Sequence, residues 1–184
     1  VFMLNAPYNG GTHLPDITVV TPVFDDARTH VQFYVASRGH HEDIGGLTPG
    51  SMTPRATVIE EEGVVIEPTR IVRNGRFLDD DVVALLTGAR YPARRPDKNI
   101  ADLKAQVAAN ACGAVEIGKM IAHFSWAVVA AYMGHVKDNA EAHVRRLIAR
   151  LSDGAFAIET DQGTRICVTI SVDRSACTAT IDFA

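Results

Sequence analysis

The sequence predicts an α+β fold, and three observations along the 184-residue chain predict it. The first 75 residues hold short β-branched runs separated by glycine and polar turns, the signature of strands. From there to residue 153 the apolar residues recur every three or four positions, as amphipathic helices require. The last 31 residues return to alternation, as strands do.

Each element can be placed from its residues. "ITVVTPV" at 17–23 and "HVQFYVAS" at 30–37 are joined by the polar "FDDART" and predict a hairpin. "ATVIEEEGVVIEPTRIV" at 56–72 predicts two further strands around Gly63. "DDDVVALLTG" at 79–88 has acids in its first turn and a terminal glycine, which predicts a short helix. Pro92 and Pro96 mark a linker. Leu103, Val107, Ala111, Ala114, Val115 and Ile121 then define a long helix from Ile100 to about Phe124. Ser125 is a candidate cap for a second helix carrying Val129, Tyr132, Met133, Val136, Ala140, Val144, Leu147, Ile148 and Leu151. A long antiparallel helical hairpin is the simplest arrangement of the two. "AFAIET", "TRICVTISVD" and "CTATIDF" complete the fold as strands joined at 161–163 and 173–176.

Composition excludes several classes of function. At 47% hydrophobic and 22% charged the chain is ordinary soluble material, and a net charge of -4 argues against a nucleic-acid face. Arg90, Arg94, Arg95 and Lys98 gather only in a proline-containing, solvated loop. No apolar run reaches the roughly 18–20 residues that span a bilayer, so a cytoplasmic location is expected. Cys112, Cys167 and Cys177 show no C-x-x-C spacing and are expected as small buried thiols. No phosphate-binding glycine motif is present, so no ATP site is expected. The first residue is Val1 and the last, Ala184, follows a predicted strand, which suggests an interior piece of a longer protein with an open sheet edge that favours association.

Two loops concentrate chemistry. "NGGTHLPD" at 9–16 offers His13 and Asp16, and "SRGHHEDIGG" at 37–46 offers His40, His41 and Asp43. A strand out and a strand back bring both loops to one sheet end. Imidazole nitrogen with carboxylate oxygen suits Mn²⁺, Zn²⁺ or Fe²⁺. Adjacent residues on a strand point to opposite faces, so His40 and His41 compete for a place in one metal site, and the other is free for acid, base or substrate contact. Surface histidines in glycine loops without any metal are the plainer reading. Asp102, Gln106 and Asn110 form a polar stripe at i, i+4 and i+8 on the first long helix, either a solvated face or a contact to a polar ligand. Gly134 in "YMGHVKDN" predicts close backbone packing, with His135 an interface histidine.

"NAPYNGGTHLPDITVVTPVF", "FYVASRGHHEDIGGLTPGSM", "EEEGVVIEP", "NIADLKAQVAAN" and "AYMGHVKDNAE" together resemble the hydantoinase B/oxoprolinase family. The resemblance runs over essentially the whole chain and is strongest to the branch of bacterial ATP-dependent 5-oxoprolinases. It implies a partial B-type domain whose partner, a hydantoinase A-type domain, uses ATP and Mg²⁺ to phosphorylate the lactam oxygen of 5-oxo-L-proline. The B-type part would then complete ring opening to L-glutamate. It further implies a divalent metal on His13, Asp16 and His40 or His41, taken as His40, with His41 or Asp43 handling protons and Asp102, Gln106 and Asn110 orienting substrate. N-methylhydantoinase and the B-type subunit of acetone carboxylase are alternative activities, and a noncatalytic assembly module is the alternative outside enzymes.

Overall fold

Four strands built from the β-branched runs form the sheet that positions everything else. The computed structural model describes residues 1–183, which divide into two compact units, Val1–Lys119 and a second that begins at Met120. The division falls inside a helix, away from the composition changes at 75 and 153. Ala184 itself, and with it the final residue of the expected open edge, lies outside the described residues.

In the first unit, β1 (Phe2–Leu4), β2 (Asp16–Phe24), β3 (Val31–His40) and β4 (Thr69–Arg70) make an antiparallel sheet in the order β3-β2-β1-β4. The predicted hairpin is β2–β3, extended at its open end so that Asp16 pairs with His40. Strand alternation sends Ile17 and Val19 to one face and Asp16 and Thr18 to the other. The first face is buried with Met3, Leu14, Ile44, Val64, Ile66, Ile71, Val82, Leu86 and Leu103, which form the core.

The segment 56–72 departs from prediction. Instead of two strands around Gly63 it contains a 3-10 turn at Ile59–Glu61, an irregular stretch, the two residues of β4 and the first residue of the next short strand. Its buried polar backbone is satisfied partly by single main-chain bonds, from Val64 N to Ile44 O and from Asn5 N and Ala6 N to Ile66 O, and partly by a side chain. Asn5 is fully buried, and its Nδ2 donates to Leu14 O at 2.8 Å and Val64 O at 2.9 Å while its Oδ1 accepts from Ile66 N. Val64 and Ile66 thus reach the core without strand pairing. β5 (Val72–Arg73) and β6 (Arg76–Phe77) make a small separate ribbon.

Helix α1 (Asp79–Thr87) begins with three aspartates and buries Val82 and Leu86. Helix α2 (Pro96–Phe124) starts four residues earlier than the apolar period suggests, because Pro96 opens its first turn. Its buried residues are Asn99, Leu103, Gln106 and Asn110. Gln106 and Asn110 of the polar stripe therefore face inward, a correction to their expected solvated or ligand-contacting position, while Asp102 is exposed. Gln106 Nε2 donates to Ile17 O at 3.0 Å and to Ser37 O, and Asn110 Nδ2 donates to Val19 O at 3.0 Å. The spacing explains the fit. Four residues of helix advance about 6 Å and two residues of strand about 6.6 Å, so amides at i and i+4 meet carbonyls at i and i+2. Cys112 lies away from this contact and is exposed, where a buried thiol was expected; Cys167 and Cys177 are half-buried.

α3 (Trp126–Ile148) follows a break at Ser125, which has φ +78° and makes no side-chain cap, so the predicted capping role is not the one it plays. Val129 is the buried residue of α3 among those described, and Tyr132, Val136, Val144 and Leu147 are exposed. Around Gly134 the space is open, so the expected close packing is absent and nothing in the structure explains that glycine. His135 meets the ring of Tyr132 edge-on. In the same unit β7 (Gly154–Glu159), β8 (Arg165–Asp173) and β9 (Thr178–Asp182) form an antiparallel meander, as the alternating tail predicts. Among the described residues no single helix is long and apolar enough to cross a membrane.

Candidate metal centre

The site lies on the sheet face that α2 does not cover. Asp16 opens β2 and His40 closes β3, and their register pairing places both side chains on that face. His13 comes from the preceding loop, turned back by a hydrogen bond from Asp16 N to His13 O at 2.9 Å. Gly11 permits the turn, since a Cβ there would lie 1.9 Å from Asn5 O.

The three side chains converge. His40 Nδ1 is 2.9 Å from one Asp16 oxygen and His13 Nδ1 is 3.6 Å from the other, with the two imidazole centroids 5.6 Å apart. One donor atom from each falls within 4.8 Å of the others. Ligands about 2.1 Å from a common ion lie at most about 4.2 Å apart, so small rotations suffice to close this set on a metal. Two imidazoles and a carboxylate, without thiolate, are the donor chemistry of Mn²⁺, Zn²⁺ or Fe²⁺. The side chains are part-exposed, at 36% for His13, 29% for Asp16 and 56% for His40, which leaves room for further ligands. A cavity of about 390 Å³ opens beside His13, lined also by Ser51, Met52, Thr53, Pro54 and Glu62.

His41 points the other way. Only 1% exposed, it lies under α2 with Nδ1 3.0 Å from Asn99 Nδ2 and Nε2 3.3 Å from Gln106 Oε1. Both amides are oriented by main-chain carbonyls, which only accept: Asn99 Nδ2 also donates to Asp43 O, and Gln106 Nε2 to Ile17 O. His41 Nδ1 must therefore accept and Nε2–H donate, which is the neutral tautomer. Burial, the largest influence, pushes its pKa down, against upward pulls from Gln106 and Asp102. A ring tied at both nitrogens has no free atom for a metal or for proton transfer. Between the competing histidines, His40 is the one the fold brings to Asp16.

Asp43 is likewise committed. Its Oδ1 accepts from Gly45 N and Arg94 N, and its Oδ2 from Gly50 N and from Arg94 Nη1 at 2.7 Å. Burial pushes the carboxyl up, but these hydrogen bonds outweigh it and hold the group below its ordinary value. Asp43 thereby braces a loop in which Gly45 and Gly46 adopt φ +94° and +86° and pack against Tyr91 O and Glu62 O. The segment that reads as loose in sequence is tied at every turn. In the structure His41 and Asp43, expected to act as acid or base, and Gln106 and Asn110, expected to orient substrate, are all hydrogen-bonded within the chain. Asp102 is exposed on α2. Sequence reasoning missed Asn99 and Arg94, whose signals, a lone amide near a helix start and a loop arginine, are individually too common to single out.

The family model described as Hydantoinase B/oxoprolinase matches residues 1–184. A 5-oxoprolinase of Pestalotiopsis fici is 42% identical over 98% of the chain, and a 5-oxoprolinase of Dictyostelium discoideum is 39% identical over all of it. In each case the chain spans 15% of the relative's length. The crystal structure of an ATP-dependent caprolactamase from Pseudomonas jessenii superposes with a TM-score of 0.77 at 27% identity, covering 98% of this chain and 31% of that one.

Proposed function

The chain belongs to the hydantoinase B/oxoprolinase family, and from that premise we propose that it is the metal-binding part of an ATP-dependent 5-oxoprolinase, opening the lactam ring of 5-oxo-L-proline to L-glutamate in the cytoplasm. The observation that carries the proposal is the convergence of His13, Asp16 and His40 on one open sheet face. The relatives named 5-oxoprolinase support the substrate.

The chemistry requires two parts. A lactam resists water because amide resonance makes its carbonyl carbon a poor electrophile and its nitrogen a poor leaving group. ATP and Mg²⁺, in a partner hydantoinase A-type domain, convert the lactam oxygen into a phosphate ester. Water then adds to that carbon, the carbon–nitrogen bond breaks with its electron pair on nitrogen, nitrogen takes a proton, and a second water hydrolyses the resulting acyl phosphate to carboxylate and phosphate. Ring opening consumes one water and release of phosphate from the acyl phosphate a second, which balances glutamate, ADP and phosphate.

His13, Asp16 and His40 would hold a divalent metal, which would supply Lewis acidity for this step. The rest belongs to the chain. Asp16 links the two histidines and holds both rings on the open face, and His41, anchored below, fixes the end of β3 that presents His40. The cavity beside His13 is of a size for a small ring.

A larger unsubstituted lactam is the second reading, favoured by the likeness to the caprolactamase structure. Elemental analysis of the chain tests the shared premise. About one Mn, Zn or Fe per chain is expected, and it should be absent from a His13→Ala, Asp16→Ala variant. A wild-type chain without metal, or a variant that retains it, would sink the proposal and favour an assembly module. Product analysis of the full-length protein with its partner, given 5-oxo-L-proline or caprolactam and ATP, separates the substrates.

A further inference from the structure

One cation beside the metal centre has no counter-charge. Arg38 lies two residues before His40 on β3 and pairs in register with Thr18, as His40 pairs with Asp16. Alternation puts its side chain on the same open face, about 7 Å along the strand from the His40 position. Three neutral acceptors fix it: Nε donates to Thr18 Oγ1 at 2.8 Å, Nη1 to Thr12 Oγ1 at 3.3 Å, and Nη2 to Gly10 O at 3.1 Å. A guanidinium has five N–H groups, so two remain uncommitted, one on each terminal nitrogen.

None of the ion pairs among the described residues includes Arg38. Six of the eighteen Lys and Arg residues face a carboxylate and Arg38 is among the other twelve, so what sets it apart is its fixed place beside the His13, Asp16 and His40 cluster. Asp16, the acid nearest in the register, is engaged with both histidines. A positive fork held rigid by neutral groups, with outward donors and no acid to neutralise it, is preorganised for an oxyanion.

We propose that Arg38 is the anion-recognising residue of this centre, holding an oxyanion of the lactam, either its own carboxylate or the phosphoryl group placed on it. The proposal rests on the lactam-opening reading and deepens it. In 5-oxo-L-proline the carboxylate-bearing carbon and the reacting carbonyl carbon flank the ring nitrogen, so a small molecule can reach from the histidines to Arg38. Caprolactam has no carboxylate, and a carboxylate-reading Arg38 would discriminate between the two.

The test titrates the chain and its Arg38→Gln variant with 5-oxo-L-proline, uncharged 2-pyrrolidinone and inorganic phosphate, followed by NMR, with metal content measured in parallel. At least tenfold weaker binding of one oxyanion by the variant, at unchanged metal content, is the expected result. A loss confined to 5-oxo-L-proline identifies the carboxylate, and a loss of phosphate identifies the phosphoryl group. 2-Pyrrolidinone should not discriminate between the proteins, and Arg38→Lys should recover part of the affinity through charge alone. The proposal is overturned if the wild-type chain binds neither oxyanion, if Arg38→Gln binds both as well as wild type, or if metal is lost together with both, which would make Arg38 a tie for the His13 loop. The lactam-opening reading fails separately, by absent turnover in the full-length protein with its partner.

Discussion

The two faces of the β3-β2-β1-β4 sheet use similar polar side chains for opposite ends. Under α2, Asn5, His41, Asn99, Gln106 and Asn110 are buried and each bonds to backbone or to another of them, although Asn99 Oδ1 and Asn110 Oδ1 accept no hydrogen bond among the described residues. On the open face His13, Asp16, Arg38 and His40 are part-exposed and retain unused donors or acceptors. Consecutive residues, His40 and His41, belong to different faces. What a polar residue does here is decided by which side of a strand it leaves, before its own chemistry is considered.

The largest effect should come from the covered face. Asn5→Leu orphans Leu14 O, Val64 O and Ile66 N in the core, and we expect a loss of about 4 kcal/mol in urea unfolding. A loss below about 1 kcal/mol would mean that the segment 64–66 can find other partners. Asp43→Ala should cost about 3 kcal/mol by leaving Arg94 and two loop amides unpaired. Asp43 also gives a pH signature. Its folded carboxyl titrates below its ordinary 3.8, so its contribution is complete above that value and is lost as pH falls through the folded pKa. The variant should show a flatter decline of stability in that acid range, and an unchanged slope would remove Asp43 as its cause.

On the open face the order of effects reverses between readouts. Asp16→Ala should weaken metal binding about 100-fold while changing metal-free stability by no more than about 1 kcal/mol. A large loss of stability without metal would erase the distinction between the faces. The smallest effect belongs to Cys112, exposed on α2. Cys112→Ser should change stability by less than about 0.5 kcal/mol, and the native thiol should react with a thiol reagent without denaturant.

Much of this was legible. The β-branched runs around "FDDART" located β2 and β3, and the histidine loops could be brought to one sheet end from topology alone. Alternation limited the metal site to one of His40 and His41 without saying which. Choosing between them required knowing which face α2 covers, and that was obscured because its buried stripe carries Asn99, Gln106 and Asn110, which imitate a solvated face. The segment 56–72 misled for a related reason. Its apolar residues suit strands, but their backbone is satisfied partly by the side chain of Asn5, some sixty residues away, and a single amide has no periodicity to detect.

The pairing of Asp16 with His40 has a consequence for the history of each molecule. If the hairpin closed one residue out of step, His41 would emerge beside Asp16 and His40 would be driven beneath the helix, where no ring is accommodated twice. Two neighbouring imidazoles could then exchange places, yet the amides of Asn99 and Gln106 would meet the wrong one at the wrong angle. The amides of Asn99 and Gln106 on the buried ring are therefore also what tells one register of the hairpin from the other.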